Sequence, residues 1–184
     1  SIGCIYIVRD PRNVITSLKN HYEMSNDQAL KWMTNPKQFI YDVENVKQDG
    51  YSDFQFISSW STNYKSWKIQ KEIPVKIIRY EDLLKETYFV FNDIIEFINK
   101  TLNKKEKINK KKLKNSVNST FFHKLKNDEK KNGFSEAVSS KKNKKKIPFF
   151  YLGPDNDWKK ILDKDNQSKL TETFKKDLNE LGYE

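Results

Sequence analysis

The clearest hydrophobic pattern lies at the amino-terminal end, where an apolar run stops at a charged residue and a helical pattern follows. Residues 2–8 are nearly all apolar and β-rich, which favours a strand buried on both faces of a parallel sheet. Pro11 disfavours the α region at Asp10, so a turn must separate strand from helix. Asn13 is the predicted N-cap of that helix. The segment therefore predicts a strand, a turn and a helix.

A second β-rich run occupies residues 73–80. Helical patterns fill much of the remaining chain, and the predicted segments are 25–32 (opened by a capping box at Ser25), 36–49, 54–69, 83–98, 103–117 and 166–181. Strands that alternate with helices indicate an α/β fold with a parallel sheet flanked by helices. The length of 184 residues predicts one domain over residues 1–184.

The formal net charge is +10, and most of the excess lies in two lysine tracts, residues 104–114 and 124–146. Residues 128–146, which include Gly133, are predicted to form a basic, mobile loop. A strongly basic chain raises the possibility of a nucleic-acid or polyanion partner. The confinement of the charge to two tracts favours solvated lysine surface instead.

Composition narrows the class of protein further. The high aromatic content indicates a globular chain, and the single cysteine, Cys4, excludes a disulfide framework and favours a cytoplasmic location. No apolar run is long enough to span a membrane, and the two histidines form no metal-ligand motif. None of the five glycines has phosphate-loop spacing. The chain begins at Ser1 and enters a core strand at once, so we expect further sequence upstream.

Arg9 and Ser17 are the first candidate site residues. Arg9 ends the first strand, and Ser17 lies in the second turn of the helix that follows, near the sheet edge where α/β proteins bind ligands. An arginine fork beside a hydroxyl is a common way to hold phosphate. The alternative is that Arg9 pairs with an acid and Ser17 is an ordinary surface residue. This segment alone leaves both interpretations open.

Three later segments carry further candidate chemistry: residues 79–82 at the end of the second strand, residues 119–126, and residues 149–159. An adenine ring needs an aromatic face, which Tyr80 and Phe122 would supply. As an alternative, both are ordinary core aromatics.

The order of these segments resembles the C-terminal two-thirds of a PAPS-dependent sulfotransferase of the cytosolic type, where PAPS is 3′-phosphoadenosine 5′-phosphosulfate. The resemblance spans nearly all of residues 2–182 and rests on the segments RDPRNVITS, SWSTNYKSW, RYEDL, STFFHKLK and LGPDNDWK. It implies a fold like that of P-loop NTPases, lacking its amino-terminal part. It also implies sulfuryl transfer from PAPS to a hydroxyl or amine of a small-molecule acceptor, without a metal.

The resemblance assigns roles to six residues. Arg9 and Ser17 match the pair that holds the 3′-phosphate of the nucleotide, and Tyr80 matches the tyrosine near the adenine. Thr120 and Phe122 match residues that contact the adenine ring, with Phe121 in place of a serine. Gly153 matches the glycine of an Arg-Lys-Gly segment whose two cations contact the 3′-phosphate.

The chain departs from the family pattern at several points. Tyr151 and Leu152 replace the Arg-Lys pair, and Asn156 stands at the first glycine of the family's Gly-Asp-Trp-Lys. The lysines at 141–146 are candidate substitutes for the lost cations, with a solvated loop as the alternative. The family's dimer motif is not matched either, so the oligomeric state stays open.

The family's phosphosulfate-binding loop and its catalytic histidine have no counterpart in residues 1–184. We therefore expect no catalytic residue in this chain and no sulfuryl transfer by the chain alone. Two other functions remain as alternatives: a basic protein that binds nucleic acid or another polyanion without catalysis, and a nucleotide enzyme similar to P-loop kinases. A nucleic acid is less favoured as the partner than a small-molecule acceptor.

Overall fold

A computed structural model describes residues 1–41, 47, 50 and 54–184, and it has the predicted α/β architecture. The strands are β1 (Cys4–Val8), β2 (Phe39–Ile40), β3 (Gln55–Phe56) and β4 (Val75–Arg79). β1 and β4 pair in parallel, with Val8 opposite Arg79, so both end at the same edge. β2 and β3 form a separate short antiparallel pair. The predicted parallel pairing of the two β-rich runs is confirmed.

Helices cover most of the rest of the described chain. They are α1 (Pro11–Tyr22), α2 (Asn26–Thr34), α3 (Trp60–Lys68), α4 (Tyr80–Lys85), α5 (Thr87–Thr101), α6 (Lys110–Ser119), α7 (Phe122–Asn132), a 3-10 turn (Gly153–Asp155), α8 (Trp158–Ile161) and α9 (Lys164–Leu181). The capping box at Ser25 is confirmed, because Ser25 and Gln28 exchange hydrogen bonds at the start of α2. The last helix ends at Leu181, as the predicted range 166–181 has it, and Gly182 caps it in a left-handed conformation.

The N-cap of α1 is Asp10, and the prediction of Asn13 was wrong. The Asp10 carboxylate accepts a hydrogen bond from the Arg12 backbone N–H at 2.9 Å, and Pro11 occupies the first helical position, where no N–H is needed. Asn13 has another use, since its side-chain oxygen accepts from the Trp158 backbone N–H at 2.9 Å. The helix therefore begins directly after the strand's carboxyl end.

The prediction that β1 is buried on both faces was also wrong. Tyr6 is half-buried and donates to the Asn63 side chain of α3 at 2.7 Å. On the opposite face Ile5 and Ile7 are 37% and 51% exposed. Within the described residues β1 pairs with β4 alone, and the side chains of its second face are partly exposed.

The segment between α2 and α3 differs most from the sequence prediction. Phe39 and Ile40 form a strand where a helix over 36–49 was predicted; the apolar positions Val43 and Val46 lie outside the described residues. The predicted helix over 54–69 starts only at Trp60, because Ser58 has a φ of +58° and cannot continue a helix.

Two basic segments also have different bounds. The helix predicted over 103–117 begins at Lys110, where Asn109 caps it by accepting from the Lys112 N–H at 2.9 Å. The loop predicted over 128–146 starts later, since α7 continues to Asn132.

The hydrophobic core lies between α1, α2, α8 and α9. Its buried side chains are Ile15, Ala29, Met33, Leu162, Leu170, Phe174 and Leu178. Beside it, the fully buried Tyr64 of α3 donates its hydroxyl to Asp177 of α9 at 2.8 Å or to Glu180 at 2.9 Å. Burial raises the pKa of Asp177, but hydrogen bonds from Lys65, Ser61 and Tyr64 outweigh it and hold that pKa below its ordinary value. None of the described helices has the length and apolar character needed to cross a membrane.

Candidate functional site

A cavity of about 830 Å³ lies at the carboxyl edge of β1 and β4. α1, the start of α4, the junction of α6 and α7, and residues 148–154 form its walls. All six residues singled out from the sequence line this cavity: Arg9, Ser17, Tyr80, Thr120, Phe122 and Gly153. The fold thus brings together side chains that are up to 144 positions apart in the sequence.

Arg9 supplies positive charge to the cavity, and among the described residues it has no carboxylate partner. Its guanidinium lies 4.3 Å from the centre of the Tyr80 ring, and its Nη2 donates to the Gly153 carbonyl at 3.2 Å. Its Nε is buried and has no hydrogen-bond partner in the described part of the chain. A buried, unpaired donor is costly, so the arrangement favours an anion that completes the set.

Asp10 and Glu81, two described acids next to the ends of β1 and β4, are engaged elsewhere, which weighs against the interpretation that Arg9 pairs with an acid. Asp10 binds Arg12 with an Nη2–Oδ2 distance of 2.8 Å, and Glu81 accepts from the Tyr183 hydroxyl at 2.8 Å. Arg79, at the end of β4, is paired with Asp82. Of the three arginines in the chain, Arg9 alone has no ion pair among the described residues.

Ser17 follows Arg9 by eight residues and lies exposed in the second turn of α1. Its Oγ accepts a hydrogen bond from the Asn156 side-chain amide at 3.0 Å. Its own proton has one distant acceptor, the Asn13 carbonyl at 3.5 Å. Ser17 is therefore held in place while its donor capacity is almost unused.

Phe122 and Gly153 fit closely against each other on the aromatic side of the cavity. Gly153 has a φ of +54°, and a Cβ built on it would lie 2.3 Å from Cε2 of Phe122. The Phe122 ring also contacts Phe150 edge-on, with 6.1 Å between ring centres. Only glycine leaves room for Phe122 in this position.

Tyr80 and Thr120 complete the predicted set. One face of the Tyr80 ring is occupied by the Arg9 guanidinium, so Tyr80 helps to orient that group. Thr120 ends α6, and its hydroxyl is 3.2 Å from both the Ser116 and Val117 carbonyls.

None of the lysines at 141–146 lines the cavity, which weighs against them as substitutes for the lost Arg-Lys pair. The backbone N–H of Lys141 donates to Glu23 at 2.6 Å, and Ser140 donates to the same carboxylate at 2.8 Å. Both bonds lower the pKa of Glu23. Lys146 donates to the Ala137 carbonyl at 2.8 Å. Among the described lining residues, Arg9 carries the permanent positive charge.

His21 lies in the cavity wall one helical turn beyond Ser17. Its ring packs against Tyr22 and Phe149, with 4.6 Å and 6.0 Å between ring centres. Burial lowers the pKa of His21 and outweighs the opposing effect of the Glu136 charge. In residues 1–41 and 54–184, no group of three or more His, Cys, Asp and Glu side chains could hold a metal ion.

Asn156 is the site residue to which sequence reasoning gave no role. It is 5% exposed and contacts Asn13, Thr16 and Ser17 of α1. The one signal in the sequence was its replacement of a glycine in the family motif.

Parallel strands that end beside a cavity lined by an arginine define an α/β protein with a candidate ligand site at the sheet edge. A family model described as "Sulfotransferase domain" matches residues 2–182. The chain therefore belongs to the sulfotransferase domain family, and the resemblance seen in the sequence is confirmed.

The structure is also similar to the crystal structure of mouse sulfotransferase SULT7A1 complexed with PAP, with a TM-score of 0.57 and 20% sequence identity. The similarity covers 95% of this chain and 57% of the mouse chain. At this level of identity it establishes a shared fold.

Proposed function

We propose that this chain binds the 3′-phosphate and adenine end of PAPS, in a protein that transfers the sulfuryl group to an acceptor hydroxyl or amine. The observation that carries the proposal is one cavity lined both by the Ser17 hydroxyl and by Arg9, whose buried Nε has no hydrogen-bond partner among the described residues. Membership of the sulfotransferase family supports the same donor. Tyr80, Thr120 and Phe122 would then border the adenine.

In the proposed reaction the acceptor oxygen or nitrogen attacks sulfur and forms a new bond to it. The bond between sulfur and the 5′-phosphate oxygen breaks, PAP leaves with the electron pair, and the acceptor loses its proton to a base. Arg9 and Ser17 would hold the far end of the nucleotide, which fixes the sulfur for in-line attack. We propose that the base and the groups that stabilise the leaving phosphate lie outside residues 1–184.

Affinity for PAP compared with AMP, which lacks the 3′-phosphate, tests this proposal directly. A charge-assisted contact to phosphate contributes about 1.5–3 kcal/mol, so we expect calorimetry to show PAP binding about ten- to a hundredfold more tightly than AMP. The preference should persist when salt is raised from low to moderate concentration.

A polyanion-binding protein gives a different result in the same titrations. If the exposed lysine tracts bind the ligand, PAP exceeds AMP only through its larger negative charge, and both the affinities and this preference fall steeply as salt rises. Displacement of PAP by heparin would also indicate that the lysine tracts bind the ligand. Equal affinities for the two nucleotides would contradict the proposed function.

A further inference from the structure

The Asn156 side chain connects the segment after the 3-10 turn to α1, next to Ser17. It lies between the 3-10 turn (Gly153–Asp155) and α8, and its side chain is buried against α1. A buried amide must satisfy its donors and its acceptor. Its partners therefore reveal what it does.

The orientation of the Asn156 amide is fixed by its neighbours. The nitrogen Nδ2 lies 2.9 Å from the Asn13 backbone carbonyl, which can only accept a hydrogen bond. The oxygen Oδ1 faces the Thr16 hydroxyl at 2.5 Å. The second N–H of Nδ2 then points to Ser17 Oγ at 3.0 Å.

This orientation sets the polarity of the Ser17 hydroxyl. Because Ser17 Oγ accepts from Asn156, its proton must point elsewhere, and the Asn13 carbonyl at 3.5 Å is at the limit of hydrogen bonding. A hydroxyl that accepts from an amide is also a better donor, since chains of hydrogen bonds strengthen one another. The proton is thus available to an anion in the cavity.

We propose that Asn156 is a positioning residue that presents Ser17 as a hydrogen-bond donor to the 3′-phosphate of the nucleotide. The proposal rests on the proposed function, because it needs a phosphate beside Ser17. It also accounts for an amide at a position where the family motif has glycine: the side chain secures the hydroxyl in a cavity where Arg9 is the one permanent cation among the described lining residues.

The test compares PAP and AMP affinities of Asn156→Ala, Ser17→Ala and the double variant. We expect Asn156→Ala to lose about three- to tenfold in PAP affinity, the usual value of one hydrogen bond, with AMP affinity unchanged. Ser17→Ala should give a similar loss, and the double variant should lose no more than the larger single loss. An unchanged PAP/AMP ratio in Asn156→Ala, or multiplying losses in the double variant, would overturn the proposal.

Asn13→Ala is the matched control. It removes the side-chain bond to the Trp158 N–H and so loosens the same junction, but it leaves the backbone carbonyl that binds Asn156 in place. We expect a lower melting temperature and an unchanged PAP/AMP ratio. A change in that ratio as large as in Asn156→Ala would show that Asn156 acts only through stability.

If Asn156→Ala does not fold, NMR of the wild-type chain decides. The side-chain amide protons of Asn156 should shift when PAP binds and stay unchanged with AMP; equal shifts with both nucleotides would overturn the proposal. Failure of the proposed function is separate, because it shows as equal PAP and AMP affinities in the wild-type chain.

Discussion

Arg9→Ala is expected to weaken PAP binding about ten- to a hundredfold and to leave AMP binding nearly unchanged. The guanidinium is the permanent cation of the described cavity wall, and its buried Nε has no other partner there. Arg9→Lys should keep part of the affinity, since lysine retains the charge but loses the planar fork and the stacking on Tyr80. Titration calorimetry of the three proteins with both nucleotides measures the effect.

Arg79→Lys is the control for this experiment. Arg79 ends the neighbouring strand, but its charge is already paired with Asp82, with 2.8 Å between Nη2 and Oδ1. We expect PAP affinity to be unchanged in this variant. PAP affinity equal to wild type in Arg9→Ala would contradict the role assigned to Arg9.

Gly153→Ala is expected to weaken PAP and AMP binding by similar factors, about five- to a hundredfold. The new Cβ would lie 2.3 Å from the Phe122 ring, so the ring must leave its position in the cavity wall. Stacking of a base on an aromatic side chain contributes about 1–3 kcal/mol. Because the adenine is common to both nucleotides, both affinities fall, unlike the result for Arg9→Ala.

Gly182→Ala separates the clash from backbone strain. Gly182 also has a positive φ, +71°, but it caps α9 outside the cavity. Both alanine variants should lose about 1–2 kcal/mol of unfolding free energy from the left-handed backbone. Only Gly153→Ala should lose nucleotide affinity. Equal nucleotide affinities in the wild type and Gly153→Ala would contradict the placement of the adenine beside Phe122.

The local sequence pattern was sufficient to predict the two parallel strands and the helices that have strong capping residues. Ser25 with Gln28 and Gly182 are short-range signals that act within one turn. The segment around Ser58 failed because its aromatic residues fit both a helical and a strand period. The helix cannot begin before Ser58 because Ser58 is left-handed, and its N–H and hydroxyl donate to the Gln38 and Pro36 carbonyls.

The order of the motifs was sufficient to predict which residues form the candidate site. The hydrogen bonds that hold those residues in place were not predictable. Arg9 and Ser17 are close in sequence, so a strand–turn–helix reading brings them to one edge. The N-cap of α1 and the role of Asn156 depend on hydrogen bonds between distant parts of the chain. The Trp158 backbone N–H donates to the Asn13 side chain, and the Asn156 amide donates to Ser17, 139 positions away in the sequence. No local propensity encodes such contacts.

A crystal structure of this chain with PAP tests the central claim most directly. The 3′-phosphate oxygens should lie within about 3.2 Å of the Arg9 guanidinium nitrogens and of Ser17 Oγ, with the adenine bordered by Phe122 and Tyr80. A 3′-phosphate bound instead by lysines of residues 104–114 or 124–146, with no contact to Arg9, would contradict the account.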